Sequence, residues 1–189
     1  MGETINNSIN HKQTYEITVI SAITSVALTG TYNGIVTTAG TVSSTNSRWY
    51  VNQLRDVQND SLQLQFKLPL TYVAGTSIKI LVDWHSTATT GNCKYTVGIG
   101  GITATNTFAG DTDMSYGSAL VSTTPATADT KKTDEWSFSG SGFIAGENMI
   151  IIVYRTAKTD VVDTLVASMK IATVSVKYLV DKIGTTNIA

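Results

Sequence analysis

Residues 62–84 read LQLQFKLPLTYVAGTSIKILVDW, and strand periodicity runs through them twice. Leu62, Leu64, Phe66 and Leu68 alternate with Gln63, Gln65 and Lys67, while Ile78, Ile80, Val82 and Trp84 alternate with Lys79, Leu81 and Asp83. Each run therefore has one apolar and one mostly polar face, the signature of a half-buried β-strand. Between them Pro69 lacks a backbone donor and Gly75 tolerates positive φ, so the ladder should break there. The connection exceeds a two-residue hairpin, which leaves two arrangements open: the strands pair with each other, or they lie in different sheets.

Composition agrees with a β-rich chain. Hydrophobic residues make up 42% of the 189 and charged residues only 14%, with Thr, Ser, Gly and Asn filling the difference. That balance suits strands and turns better than helices or disorder, and a single domain of this length can bury roughly 70% of its unfolded surface. Net charge is −1, and Lys131-Lys132 is an isolated basic pair beside Asp129, Asp134 and Glu135. No field is present to recruit nucleic acid, and no nucleic-acid partner is expected. Cys93 is the only cysteine, which excludes an intrachain disulfide and a cysteine-rich metal knuckle; the expected role is a small buried residue. The first residues, MGETINNSINHKQ, carry no basic segment followed by an apolar one, and Asn6 stands where a myristoylation signal needs Ser or Thr. The longest apolar run, 149–154, is too short to span a bilayer, so no membrane insertion is expected.

Working outward, residues 1–14 are polar, rich in Asn and aperiodic, and read as an extended N-terminal arm ahead of a single domain over 15–189. Short β-branched runs at 15–22 and 25–29 precede a Thr/Ser-rich stretch punctuated by Gly30, Gly34 and Gly40. Residues 47–60 read as a strand entering a loop that Asn59-Asp60 ends, with a short helix as the other option. A strand resumes at 93–99, with Tyr95, Val97 and Ile99 on one face. An irregular insertion is expected around 103–133, where side chains are small and polar. Trp136 and Phe138 share a face, and 149–154, apolar on both faces, reads as an interior strand. In the last strand, about 168–180, the apolar set shifts from odd positions (Met169, Ile171) to even ones (Val174, Val176, Tyr178), which predicts a β-bulge near Ala172. The expected fold is all-β: a two-sheet antiparallel β-sandwich, with the jelly roll preferred and an immunoglobulin-like sandwich left open, the missing Cys-Trp-Cys framework counting modestly against it.

The run 64–84 also resembles a pattern in structural proteins of tailed bacteriophages, in which a strand ends in Pro, a Tyr-x-x-Gly-Thr turn follows and the next strand closes on Trp. Here those positions are Phe66, Pro69, Tyr72, Gly75, Thr76 and Trp84, followed in matching order by Tyr95, Arg155, Asp163-Thr164 and Tyr178. The resemblance covers roughly residues 60–180; Leu70-Thr71 before Tyr72 and the insertion after Ile102 depart from it. It implies a jelly-roll module that decorates a capsid, forms a head or tail fibre or sits at the neck, commonly as a homotrimer, made in a host cytoplasm and residing in the virion.

Little in the chain suggests chemistry. His11 and His85 are the only histidines, and with Cys93 and Asp83 they form no recognised metal spacing. No Gly-x-Ser-x-Gly elbow exists, and Asp111, Asp113, Asp160 and Asp163 read as turn residues before they read as a glycosidase pair. Gly98-x-Gly100-Gly101 opens no strand-to-helix unit. No catalytic, cofactor-binding or metal residue is therefore assigned, and no enzyme is expected. The best polar constellation is Arg155 with Asp160 and Asp163, read either as a clip pinning the loop between the last two strands or as a subunit contact. Ile5 and Ile9 are the expected anchors of the arm on sister subunits or other virion proteins. Trp49 is the open candidate for a glycan contact, because strand alternation sends Trp84 and Trp136 to the core. The leading expectation is thus a virion structural protein acting through assembly and surface display; the alternative is a carbohydrate-binding module or receptor-binding tip.

Overall fold

A computed structural model describes residues 13–19, 36–38, 51–57, 59–102, 114–157 and 160–180. The arm residues 1–12, with Ile5 and Ile9, and Trp49 lie outside the described residues. The strands, in chain order, are β1 (Gln13–Val19), β2 (Val36–Thr38), β3 (Val51–Leu54), β4 (Asp60–Lys67), β5 (Ile78–His85), β6 (Asn92–Ile102), β7 (Met114–Tyr116), β8 (Leu120–Thr123), β9 (Lys132–Phe138), β10 (Asn148–Arg155) and β11 (Met169–Val180).

These strands form two antiparallel sheets. The first runs β2-β3-β11-β5-β9, with β1 also pairing with β11; the second runs β4-β10-β6-β7, with β8 also on β6. From β3 to β6 and again from β8 to β11 the chain crosses to the other sheet at each connection, while β6, β7 and β8 stay in the second, so that β3-β11-β5-β9 faces β4-β10-β6-β8. That order is a jelly roll, two Greek keys folded over one core. The two strands of 62–84 fall in different sheets, and residues 68–77 form the arch between them. Tyr72 N–H donates to the Pro69 carbonyl at 3.0 Å, Tyr72 OH donates to the Thr76 carbonyl at 2.7 Å, and Gly75 adopts φ 79°. The arch is tied to the last strand where Val73 N–H donates to the Leu179 carbonyl.

Alternation places the core. Leu62 and Leu64 of β4, Val97 and Ile99 of β6, and Ile151 and Val153 of β10 face Ile80, Val82 and Trp84 of β5, Trp136 of β9 and Val176 of β11. Strand β10 pairs on both sides, with β4 and β6, so it is an interior strand of its sheet, and its outward residues Ile150, Ile152 and Tyr154 are half-buried between those neighbours. The pairing of β11 with β5 shifts register between Ile171 and Thr173. One extra residue there lets Met169 and Ile171 point inward before it and Val174, Val176 and Tyr178 after it, all buried.

One expectation needs correction. The insertion expected around 103–133 is not irregular over its described part, 114–133: Met114–Tyr116 and Leu120–Thr123 pair with β6, and β9 starts at Lys132. Strands of three and four residues span at most two periods of alternation, too few to stand out in the sequence. The β1 strand likewise begins inside the assigned arm, with Gln13 and Thr14 opposite Val180 and Leu179.

Candidate functional site

Registers define one end of the sandwich. Arg155 stands opposite Asp60 and Tyr95 in the second sheet, while Leu54 stands opposite Met169 and Lys170 opposite His85 in the first. The β3–β4 and β10–β11 connections both leave this end. Arg155 is the next inward position after Met149, Ile151 and Val153, so alternation drives its guanidinium into the core, where it has 0% exposure. A buried charge is tolerable only when paired and fully hydrogen-bonded. Nε and Nη2 donate to the two carboxylate oxygens of Asp163 at 3.0 and 2.8 Å, Nη2 also donates to the Leu165 carbonyl, and Nη1 donates to those of Leu54 and Ala167. The planar fork of arginine, with five donors, is thereby used in full. Burial disfavours this cation most, but the hydrogen bonds it donates to Asp163 and the negative charge nearby together outweigh burial and raise the guanidinium pKa above its ordinary value.

The clip fixes the β10–β11 loop. Asp163 also accepts from Lys94 N–H at 2.9 Å, and the N–H groups of Thr164 and Leu165 both donate to the Asn92 carbonyl. Gly91 lies so close beneath, at φ 104°, that a Cβ there would press on the Thr164 carbonyl. Asp160 sits nearer the surface, ion-paired with Lys94 and accepting from Val162 N–H; the Lys94 hydrogen bond, foremost, pulls its carboxyl below the usual value. What this anchoring holds outward is apolar: Val161 is 94% exposed and Val166 84%, with Val162 also exposed and Val57, 65% exposed, on the neighbouring β3–β4 turn. Arg155 and Asp163 have the geometry of the loop clip. With 0% and 1% of their side chains exposed, they touch no other subunit directly, and any contact at this end passes through the loop they hold.

A second polar cluster bridges the sheets at their side. Asp134 on β9 accepts three hydrogen bonds on Oδ2: from Trp84 Nε1 at 2.8 Å, Tyr95 OH at 2.7 Å and Ser122 Oγ at 2.6 Å. Burial, followed by the nearby Asp134 charge, pushes the Tyr95 phenol pKa upward. Tyr95 also meets Trp84 and Trp136 edge-on, at centroid distances of 6.4 and 4.9 Å. Trp84 and Trp136 are core residues, as alternation requires. At the surface, His85 Nδ1 lies 2.9 Å from Asp129 Oδ1 and ties the β8–β9 connection to the end of β5. Among the described residues no three His, Cys, Asp or Glu side chains converge to hold a metal ion.

Cys93 is fully buried against Met169, its Sγ 3.5 Å from Sδ. Burial, opposed by the Arg155 charge, pushes its thiol pKa up to about 12. The thiolate is the reactive form, so folded protein at pH 8 should resist iodoacetamide for hours while urea-unfolded protein is alkylated stoichiometrically. Mass spectrometry reads the difference; rapid labelling of the folded chain would contradict this placement.

No protein-family model matches the chain, and no curated protein matches its sequence. Among solved structures it is similar to a family 35 carbohydrate-binding module from an environmental isolate, at 12% identity over 80% of this chain and 88% of that one, with a TM-score of 0.44. The enzymatically active domain of tailspike protein 4 from bacteriophage CBA120 shares 10% identity over 89% of this chain and 19% of that one, with a TM-score of 0.40. Dimeric latent PorU from Porphyromonas gingivalis shares 6% identity over 66% of this chain and 11% of that one, with a TM-score of 0.39. Likenesses this distant say nothing about what this chain binds.

Proposed function

We propose that the chain is a virion structural module that works by assembly: a rigid jelly roll, without a catalytic step, that docks on its own copies or on other virion proteins. The observation that carries this reading is the apolar end. Val161, Val162 and Val166 are held outward by a loop that the buried Arg155–Asp163 pair and the Asn92 carbonyl fix from beneath. Fully burying a valine is worth about 1.5–3 kcal/mol, and several exposed valines on an ordered surface mark an interaction site. A homotrimer, the state implied by the phage resemblance, would close such a contact around a three-fold axis.

A second reading, glycan binding, has its support in Tyr116. The ring is 47% exposed and lies against the backbone of Gly98, where a Cβ would clash with it. Trp49 remains the sequence-derived candidate for the same role.

The test uses virions produced from the genome that encodes the chain. An antibody to the chain should label intact particles, and particles depleted of it should rebind the purified protein. The V161D/V166D variant should keep its melting temperature and lose at least 10-fold in rebinding. Unlabelled particles, or equal rebinding by the variant, would remove the assembly reading; selective binding on a glycan array by unassembled protein would favour the second.

A further inference from the structure

The borders of the two sheets are not equally protected. An edge strand presents unpaired backbone donors and acceptors, which folded proteins usually blunt by shortness, by charge or by an inward-pointing charge. Strands β2, β7 and β8 are three or four residues long, β1 carries Glu16 at its centre, and β9 carries Lys132, Glu135 and the inward Asp134. Strand β4 is the least protected: its one inward charge, Asp60, is its first residue and leaves the rest of the edge bare. It runs for eight residues with no Pro, no Gly and no register shift against β10, and its middle, SLQLQF, is free of charge. Its charged residues stand at the ends, Asp60 neutralised by Arg55 and Lys67 exposed. Among the described residues β4 pairs only with β10.

We propose that β4 is a pairing edge through which two copies of this chain join their second sheets, antiparallel, across a two-fold axis. The occupant is a second copy because the edge complements itself. With Leu64 opposite Leu64 of the other copy, Leu62 faces Phe66, Gln63 faces Gln65 and Ser61 faces Lys67. Apolar side chains then continue the inner layer and the exposed amides form a neutral ladder on the outer face. Phe66, only partly buried at this border, gains cover from Leu62 of the other copy. The register shifted by one pair would instead set Asp60 against Phe66. Such an isologous contact closes on itself, and it does not draw on the valine end; combined with a three-fold contact there, it would tile the chain into a surface array.

The experiment separates the two contacts. The V161D/V166D variant, in which the apolar end is disabled, should run as a dimer by light scattering at tens of micromolar. Adding Gln63→Lys and Gln65→Lys, both at exposed positions, should give a monomer that still unfolds cooperatively, with a melting temperature that no longer rises with concentration, because lysines then confront each other across the axis. Equimolar Gln63→Cys and Gln65→Cys proteins should form a mixed disulfide on mild oxidation, since directly opposed cross-strand Cα atoms lie within disulfide reach; buried Cys93 does not compete. A monomer before the lysines are added, a dimer that survives them, or no mixed disulfide would overturn the proposal.

Discussion

Replacing Arg155 with methionine is expected to destabilise the fold by about 3–5 kcal/mol, the usual consequence of removing one partner of a buried ion pair. The substitution keeps much of the side-chain volume but leaves the Asp163 carboxylate, 1% exposed, with its charge uncompensated. It also leaves the carbonyls of Leu54, Leu165 and Ala167 without their side-chain donors. In a domain of this length such a loss lowers the melting temperature by on the order of 10 °C. The double variant R155M/D163L should recover part of the loss, because a buried pair replaced by apolar groups no longer contains a stranded charge. Urea titrations of the three proteins measure this directly. A single variant within about 1 kcal/mol of the parent would show that the clip does not hold the loop. The outcome also bears on assembly: if Arg155 holds Val161 and Val166 in place, R155M/D163L should fold yet bind particles more weakly than its stability alone predicts.

The sequence announces this architecture where strands are long. The alternation in 62–84, the doubly apolar run 149–154 and the odd-to-even shift around Ala172 each translate into a strand, an interior position and a bulge. Both tryptophans placed in the core by alternation are there. The short strands β7 and β8 escape because three or four residues carry no measurable period. Asp134 escapes for a different reason. In the sequence it stands out only as an acidic neighbour of Lys131-Lys132, yet it shares the parity of Trp136 and Phe138, so a carboxylate on an apolar face is legible there. The same signal, a charge at the inward end of an apolar run, marks Asp60 before Leu62 and Leu64, and Arg155 after Met149, Ile151 and Val153. Sequence cannot choose among the possible partners of such a group, since the donors to Asp134 come from three other strands across both sheets.

Asp134 is expected to be the second most sensitive position. Its Oδ2 joins Trp84 of the first sheet to Tyr95 and Ser122 of the second, so a single atom links the two layers at the β8 and β9 borders. The Trp84, Tyr95 and Ser122 side chains have almost no access to water, with relative exposures of 0%, 0% and 2%. Truncation to alanine therefore strands three donors that cannot be rehydrated in place. At about 1–3 kcal/mol for each unsatisfied group, with relaxation preventing full additivity, D134A should cost about 3–4 kcal/mol. Asparagine retains an acceptor oxygen of the same reach and forfeits only the charge, so D134N should cost about 1–2 kcal/mol. Ser122→Ala, which removes one donor and leaves the other two bonds in place, should cost about 1 kcal/mol. The ordering D134A, then D134N, then S122A, read from urea midpoints at constant m-value, is the specific expectation. Equal losses for D134A and D134N would mean that the charge or local strand packing matters and the shared acceptor does not. A D134A protein as stable as the parent would mean that water reaches the three donors, and that the ring contacts of Tyr95 with Trp84 and Trp136 suffice to hold the sheets together at this border.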